Sequence, residues 1–198
     1  SNSDKITIAQ LLNHRSGVFD FTDDKENYLR YRNTYMDRAE MVDIIAEGGS
    51  VFEPGTKAAY SNSNYVLLSI ILEKVYGQSY STILREQLVD SLGLARTYFG
   101  GTIKEDQRES RSYRYDGQWR LMAETNTSIG LGAGGIVSTP SDLLVFADTL
   151  FSGNLLAEES LSQMKNIRDK FGMGLFKIAY YDHVSYGHNG EIDGFIGA

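Results

Sequence analysis

An α+β fold is predicted by three features of this sequence. Capped, apolar-periodic helical patterns fill most of the chain, one strong hairpin signal interrupts them, and the last thirty residues turn to strand patterns. We expect a mostly helical region over 1–167 with a hairpin near 112–121, followed by a partial antiparallel sheet over 168–198.

The first helices are predicted from their capping residues and their stop signals. Thr7 can cap a short helix that ends near His14. A possible short helix over 25–33 lies in a loop rich in Asp, Tyr and Arg. Asp37 can cap a third helix, which Gly48-Gly49 ends.

The stretch from Phe52 to Tyr76 reads FEPGTKAAYSNSNYVLLSIILEKVY. Pro54-Gly55 is a turn pair, and good N-cap residues stand at 61–63. The pattern that follows is almost wholly apolar, which is typical of a buried helix. Tyr60 and Asn62 are therefore expected at the polar end of a buried helix, where fixed side chains suit a catalytic site.

The remaining elements follow in order. A serine at 79 or 81 starts a helix that Gly93 closes, and Asp116-Gly117 between aromatic flanks predicts a hairpin turn. Residues 138–142 form a helix start, and a further amphipathic helix is expected over 158–167. Strand patterns occupy 171–181, 184–186 and 195–198.

The composition excludes several classes of function. The chain has 198 residues, a net charge of −7 and no cysteine. Non-specific nucleic-acid binding is disfavoured by the charge, and no disulfide, iron–sulfur cluster or thiolate zinc site is possible. Three histidines without cysteine make a metal site unexpected. We expect no cofactor, and no membrane-spanning run or signal peptide is visible.

Two short motifs contain residue types that could take part in catalysis or substrate binding. Tyr60-x-Asn62 alone is more simply a buried tyrosine beside a helix cap, but its place between a turn and a buried helix would hold the phenol still. His188-Asn189-Gly190 is either a surface turn or a strand whose glycine admits a substrate backbone. His14 is interpreted as structural, binding free carbonyls or the dipole at a helix end.

Two further matches are interpreted as coincidences. Gly130-x-Gly132-x-x-Gly135 has the letters of a dinucleotide fingerprint, but no buried strand precedes it and no helix follows at once. A tight loop is expected there. Ser162-x-x-Lys165 lies on the polar flank of a predicted amphipathic helix and is expected to be solvated.

Taken together, five blocks resemble the serine β-lactamase family, in its class C β-lactamase and D,D-peptidase branch. They are ITIAQLLNHRSGV, FEPGTKAAYSNSNYVLLSIILEKVYGQSY, LGLARTYF, GAGGIVSTPSDLLVFADTLFSG and GHNGEIDGF, in the family's order. The resemblance implies the helical domain of the β-lactamase/transpeptidase-like fold and the first strands of its antiparallel sheet, with the active site between them.

The resemblance also implies roles for residues. Tyr60 matches the tyrosine that moves protons between the nucleophile and the leaving group, and Asn62 matches the asparagine that binds the catalytic lysine and the substrate amide. His188 matches the first position of the Lys-Thr-Gly strand motif. Gly190 matches the glycine that admits substrate, and the backbone N–H of Glu191 falls at an expected oxyanion-hole donor. A tyrosine needs nearby cations to act as a base at neutral pH, so a lysine and His188 are expected close to it.

The resemblance lacks one part. The family's nucleophile comes as Ser-x-x-Lys upstream of the LLNHRSG-like block, so no nucleophile is assigned in this chain. We expect a fragment truncated at both ends and inactive by itself, from a serine hydrolase that forms an acyl-enzyme with a β-lactam, a D-Ala-D-Ala-type peptide or a related small amide or ester. Its partners would be that substrate and the missing segments of the same protein.

Three further expectations accompany that of a serine hydrolase. Export to the periplasm or cell surface is implied by the family. A non-catalytic ligand-binding or sensor module on the same fold is the alternative to a hydrolase. A nucleotide-binding module that uses the glycine loop is a third hypothesis, with no binding of NAD or ATP expected.

Overall fold

The computed structural model describes residues 2–197 and has the predicted α+β architecture. Within those residues the α-helices are α1 (Ile8–Leu12), α2 (Lys25–Tyr31), α3 (Arg38–Gly48), α4 (Asn62–Tyr76), α5 (Tyr80–Leu84), α6 (Asp90–Leu92), α7 (Thr127–Gly130), α8 (Pro140–Phe151) and α9 (Glu158–Met164). The strands are β1 (Tyr98–Phe99), β2 (Tyr113–Tyr115), β3 (Trp119–Leu121), β4 (Ile136–Val137), β5 (Phe176–Tyr180), β6 (His183–Gly187), β7 (Gly190–Ile192) and β8 (Phe195–Gly197).

Four of the predicted helix starts are confirmed by their caps, while Ser61 at the start of α4 forms no side-chain cap bond. Thr7 and Asp37 both form capping boxes, in which the side chain at the third helical position bonds back to the cap. Ser79 caps α5 through the N–H of Thr82, and Thr139 caps α8 through the N–H of Asp142. These contacts span three residues, which is why the sequence alone locates them.

The strand predictions are confirmed in outline, but the strand expected over 171–181 begins only at Phe176. The pair β2–β3 forms the hairpin around Asp116-Gly117, and β5–β6 and β7–β8 are two more antiparallel pairs. The last residue of the strand expected over 195–198 lies outside the described residues. Pairing of β1 with β4 was not predicted, because each strand has two residues and no periodicity to recognise.

Helix α4 packs one face into the core rather than its whole circumference. Val66 and Ile70 are buried against a cluster whose other members are Phe21, Met41, Ile45, Ile129 and Leu131. Val75 on the opposite side is 73% exposed. The expectation of a helix buried all round is therefore wrong within the described chain, since α1, α3, α5, α7 and the loop after α7 pack on α4 but leave the side of Val75 uncovered.

The glycine loop is a tight packing loop, as predicted. The N–H of Gly132 donates to the hydroxyl of Ser69 on α4 at 3.2 Å. A Cβ on Gly132 would stand 2.7 Å from the carbonyl oxygen of Tyr65, so the glycine permits close approach to the helix. The loop thus fastens β4 and the helices before it to α4. The N–H of Gly132 is therefore already bonded to Ser69 and is not free to bind a phosphate.

No helix formed by residues 2–197 is both long and apolar enough to cross a membrane. The division into a helical region over 1–167 and a sheet region over 168–198 stays a prediction. Strands β5 to β8 do all fall in the second range.

Candidate active site

The backbone on both sides of Tyr60 is fixed by His14. The N–H of Ala59 donates to the carbonyl oxygen of His14 at 3.0 Å, and the N–H of Ser61 donates to its ring Nδ1 at 3.1 Å. The ring of His14 also lies 4.5 Å from the ring of Tyr60, centroid to centroid. His14 therefore holds the tyrosine from its own backbone and its own side chain at once.

The hydrogen bonds determine the protonation state of His14. Because a backbone N–H can only donate, Nδ1 must accept and the neutral ring carries its proton on Nε2. The pKa of His14 is lowered from 6.5 to about 4, mainly by burial and to a smaller extent by His188, while the charge of Asp20 opposes the shift. His14 is structural, as expected, but the expected partners were wrong. The ring lies just beyond α1 and binds an N–H group rather than free carbonyls.

A buried polar network continues from His14 beneath the start of α4. The side-chain Nδ2 of Asn64 lies 3.2 Å from Nδ1 of His14, and the hydroxyl of Ser16 donates to the side-chain Oδ1 of Asn64. The hydroxyl of Ser63 accepts from the N–H of Phe21 at 3.0 Å. Buried polar groups with satisfied bonds fix one arrangement, so the loop after α1 and the N-terminus of α4 form one unit.

Asn62 is oriented by Asp20, which the sequence did not indicate. One carboxylate oxygen of Asp20 accepts from the backbone N–H of Asn62 at 2.9 Å and from its Nδ2 at 3.0 Å. Nδ2 also lies within bonding distance of the hydroxyl of Thr22. The amide nitrogen therefore points to Asp20, and the amide oxygen is left facing Tyr60.

Tyr60 meets that amide oxygen. Its hydroxyl donates to Oδ1 of Asn62 at 3.2 Å, and the residue is 40% exposed. Burial raises the pKa of Tyr60, and the charge of Asp20 raises it further. The expected lowering by nearby cations is thus not seen within the described residues. Tyr60 is a neutral phenol here, held as a hydrogen-bond donor.

His188 and Tyr60 belong to one group of aromatic rings. The ring centroids of Tyr60 and His188 are 6.1 Å apart, and Phe176 stacks on His188 at 4.1 Å. Phe171 packs on the other side of this group, 5.1 Å from His14 and 5.7 Å from Phe176. The two motifs selected from the sequence are therefore brought together, and the phenylalanines that pack beside them were not predicted.

Gly190 and Glu191 lie on an open strand edge. The two-residue turn after β7 is closed by the pair Ile192–Phe195, which exchanges backbone hydrogen bonds in such hairpins. The next pair, Glu191–Ile196, is then a non-hydrogen-bonded pair. The N–H of Glu191 therefore points away from β8, toward the side of β7 on which no other described strand is paired with it.

The serines nearest to Tyr60 are not free to react. Ser61 is 2% exposed and its hydroxyl donates to the carbonyl oxygen of Phe19, while Ser16 and Ser63 are equally buried in the network below α4. Lys165 places its ammonium over the ring of Tyr186, at 4.8 Å, and so serves packing. Ser162 is exposed, as expected for a solvated flank, whereas Lys165 is half-buried.

Comparison with known proteins identifies the family of this chain. The family model described as Beta-lactamase matches residues 1–198. A putative penicillin-binding protein PbpX of Bacillus subtilis is 25% identical over 197 residues, which cover 98% of this chain and 47% of that protein. The chain spans about half the length of the curated relatives it matches.

Solved structures give the same relationship. A D-stereospecific amidohydrolase from Streptomyces superposes with a TM-score of 0.84 at 29% identity, covering 96% of this chain and 62% of that one. A D-amino acid amidase from Ochrobactrum anthropi SV3 superposes with a TM-score of 0.82 at 30% identity, covering 97% and 58%. With a family model that matches throughout and a Tyr-x-Asn pair placed opposite a His-x-Gly strand, this chain belongs to the Beta-lactamase family.

Proposed function

We propose that this chain supplies the tyrosine and strand-edge side of the acyl-transfer site of a serine hydrolase. The observation that carries the proposal is the juxtaposition of Tyr60, oriented by Asn62, with His188 across a 6.1 Å ring separation. Acyl transfer needs a nucleophile, a group that moves its proton, and fixed donors for the oxyanion. The chain offers the second and third of these.

Tyr60 would act on the proton of the nucleophile and of the leaving group. Its raised pKa makes it a neutral donor as it stands, so a cation must approach before it can accept a proton at neutral pH. The amide oxygen of Asn62 lies beside the Tyr60 hydroxyl and is a suitable acceptor for a lysine ammonium. A Ser-x-x-Lys segment elsewhere in the whole protein would supply both the nucleophile and that cation.

The strand edge would bind the substrate. The N–H of Glu191 points off the edge of β7, and Gly190 has no side chain to obstruct a backbone lying there. An exposed strand edge with a glycine at this position leaves room for a peptide to pair as an added strand. We propose β-lactams, D-Ala-D-Ala-type peptides and small D-amino acid amides or esters as substrates, in keeping with the penicillin-binding, carboxypeptidase and amidase names of the relatives.

The test uses the full-length protein that contains this chain. We expect covalent labelling by a fluorescent penicillin or turnover of a chromogenic ester or D-amino acid amide. Tyr60→Phe should lower kcat by about 10²- to 10⁴-fold, the usual contribution of a positioned proton-transfer group. Tyr76→Phe, at the far end of α4 and 46% exposed, is the matched control and should leave kcat unchanged. Equal rates for Tyr60→Phe and the unaltered protein would refute the role of Tyr60.

The 198-residue chain assayed by itself should show no turnover, because the serines beside Tyr60 are buried and bonded. Steady hydrolysis by this chain that disappears in Tyr60→Phe would contradict that expectation. Reversible binding of a penicillin by the full-length protein without acylation would favour the non-catalytic sensor module instead. Export from the cytoplasm is proposed for the same protein and is checked by cell fractionation.

A further inference from the structure

The turn between β7 and β8 carries a carboxylate that is almost buried. Asp193 is 9% exposed at its side chain, and its two oxygens accept from the N–H of Thr125 at 2.6 Å and the hydroxyl of Thr125 at 2.8 Å. The guanidinium of Arg32 lies 3.4 Å away and completes the set. An aspartate at a hairpin tip is usually solvated, so this one is held for a reason other than turn formation.

The backbone of the same turn is also fastened. The hydroxyl of Ser112 donates to the carbonyl oxygen of Asp193, and a Cβ on Gly194 would stand 2.5 Å from that hydroxyl. Asp193 has a φ of +51°, a left-handed conformation that costs free energy for a residue other than glycine. The surrounding bonds hold the turn in this conformation.

The anchor leads back to the helix that begins beside Tyr60. The carbonyl oxygen of Arg32 accepts from the N–H of Asn126 at 2.7 Å. The segment of Arg32 is therefore bonded to the segment of Thr125, the other partner of Asp193. Asn126 caps α7, and the loop after α7 donates to Ser69 on α4. A continuous set of bonds therefore joins the turn after β7 to α4.

We propose that Asp193 is a positioning residue that sets the edge formed by residues 188–191 against Tyr60 and Asn62. A two-stranded hairpin is marginally stable by itself in water, and the edge would shift if its turn were released. The proposal rests on the proposed acyl-transfer function, but the anchor itself can be measured without any activity.

The first experiment is hydrogen exchange on this chain, followed by mass spectrometry of its peptides. Asp193→Asn keeps the size and the tolerance of a left-handed backbone while removing the charge. Amides of residues 188–197 should lose about tenfold protection, because bonds to a charged acceptor are replaced by weaker ones. Amides of α4 should not change. Asp182→Asn, in the exposed turn between β5 and β6, is the control and should change nothing at 188–197.

The second experiment measures catalysis in the full-length protein. Asp193→Asn and Thr125→Val should lower kcat by about tenfold with a smaller change in KM, because a misplaced oxyanion donor is missed most in the transition state. Thr125→Ser restores the hydroxyl donor and should return kcat to within about twofold of the unaltered protein. A role in stability alone would lower the melting temperature of both Thr125 variants without this split between kcat and KM.

The two failures can be told apart. If the unaltered full-length protein neither acylates nor turns over substrate, the proposed function fails while the exchange result still judges the anchor. If amides at 188–197 are unprotected in the unaltered chain, or equally protected in Asp193→Asn, the anchor is refuted. Normal kcat in Asp193→Asn would refute its positioning role even where exchange becomes faster.

Discussion

Asp20→Asn is the substitution that tests most directly how the Tyr60–Asn62 pair is held. The carboxylate of Asp20 accepts four hydrogen bonds, two from Asn62 and two from the N–H and hydroxyl of Thr22. It is 7% exposed. The asparagine has the same shape but one oxygen instead of two, so its amide nitrogen must face either the donors of Asn62 or the donors of Thr22.

The expected loss of stability in Asp20→Asn follows from the number of hydrogen bonds that it removes. Two of the four bonds are lost, and bonds to a charged acceptor contribute about 1.5–3 kcal/mol each. Water at the edge of the site and small movements recover part of this, so we expect a loss of about 3 kcal/mol in the free energy of unfolding. With a urea m-value of about 2 kcal/mol/M, the midpoint should fall by about 1.5 M.

The assay is urea unfolding of this chain followed by far-ultraviolet circular dichroism. Asp23→Asn is the matched control, since Asp23 is an exposed aspartate three residues further on, and its midpoint should move by less than about 0.3 M. In full-length protein that is still folded, Asp20→Asn should also reduce acylation, because the amide of Asn62 can then rotate. A midpoint equal to that of the control would refute the role of Asp20.

Two further predictions concern the same framework. The pKa of His14 is lowered from 6.5 to about 4, so the unfolded chain takes up this proton first as the pH falls. The stability that His14 contributes is complete above pH 6.5 and is lost toward pH 4, with a slope of up to about 1.4 kcal/mol per pH unit. Urea midpoints between pH 7 and 5 should show this loss in the unaltered chain and in the exposed-site control His183→Gln, and a flat profile would contradict it. Gly132→Ala should cost about 1–3 kcal/mol by forcing a Cβ against the carbonyl oxygen of Tyr65. Gly130→Ala, which meets no atom within 4 Å, should be neutral or slightly stabilising in thermal melts, and equal effects would refute the packing argument.

Much of the candidate site could be predicted from the sequence because its motifs are short. Tyr60-x-Asn62 and His188-Asn189-Gly190 are recognisable from their turn and helix-cap surroundings, and in the structure the rings of Tyr60 and His188 lie 6.1 Å apart. Their individual catalytic roles stay predictions. The supporting residues could not be found in the same way, since an aspartate in a loop such as Asp20 has no local pattern that reveals its partner.

The sequence by itself determined where helices begin, where the hairpin turns and which family pattern the chain follows. The helix starts and the hairpin turn depend on contacts between residues a few positions apart, such as the capping boxes at Thr7 and Asp37. The tertiary structure alone decided which polar groups are buried together. Asp20 meets Asn62 across 42 positions, and Arg32 meets Asp193 across 161. Such pairs form only when packing of the whole chain removes water from both partners, because a buried charge must then find its donors wherever the fold supplies them.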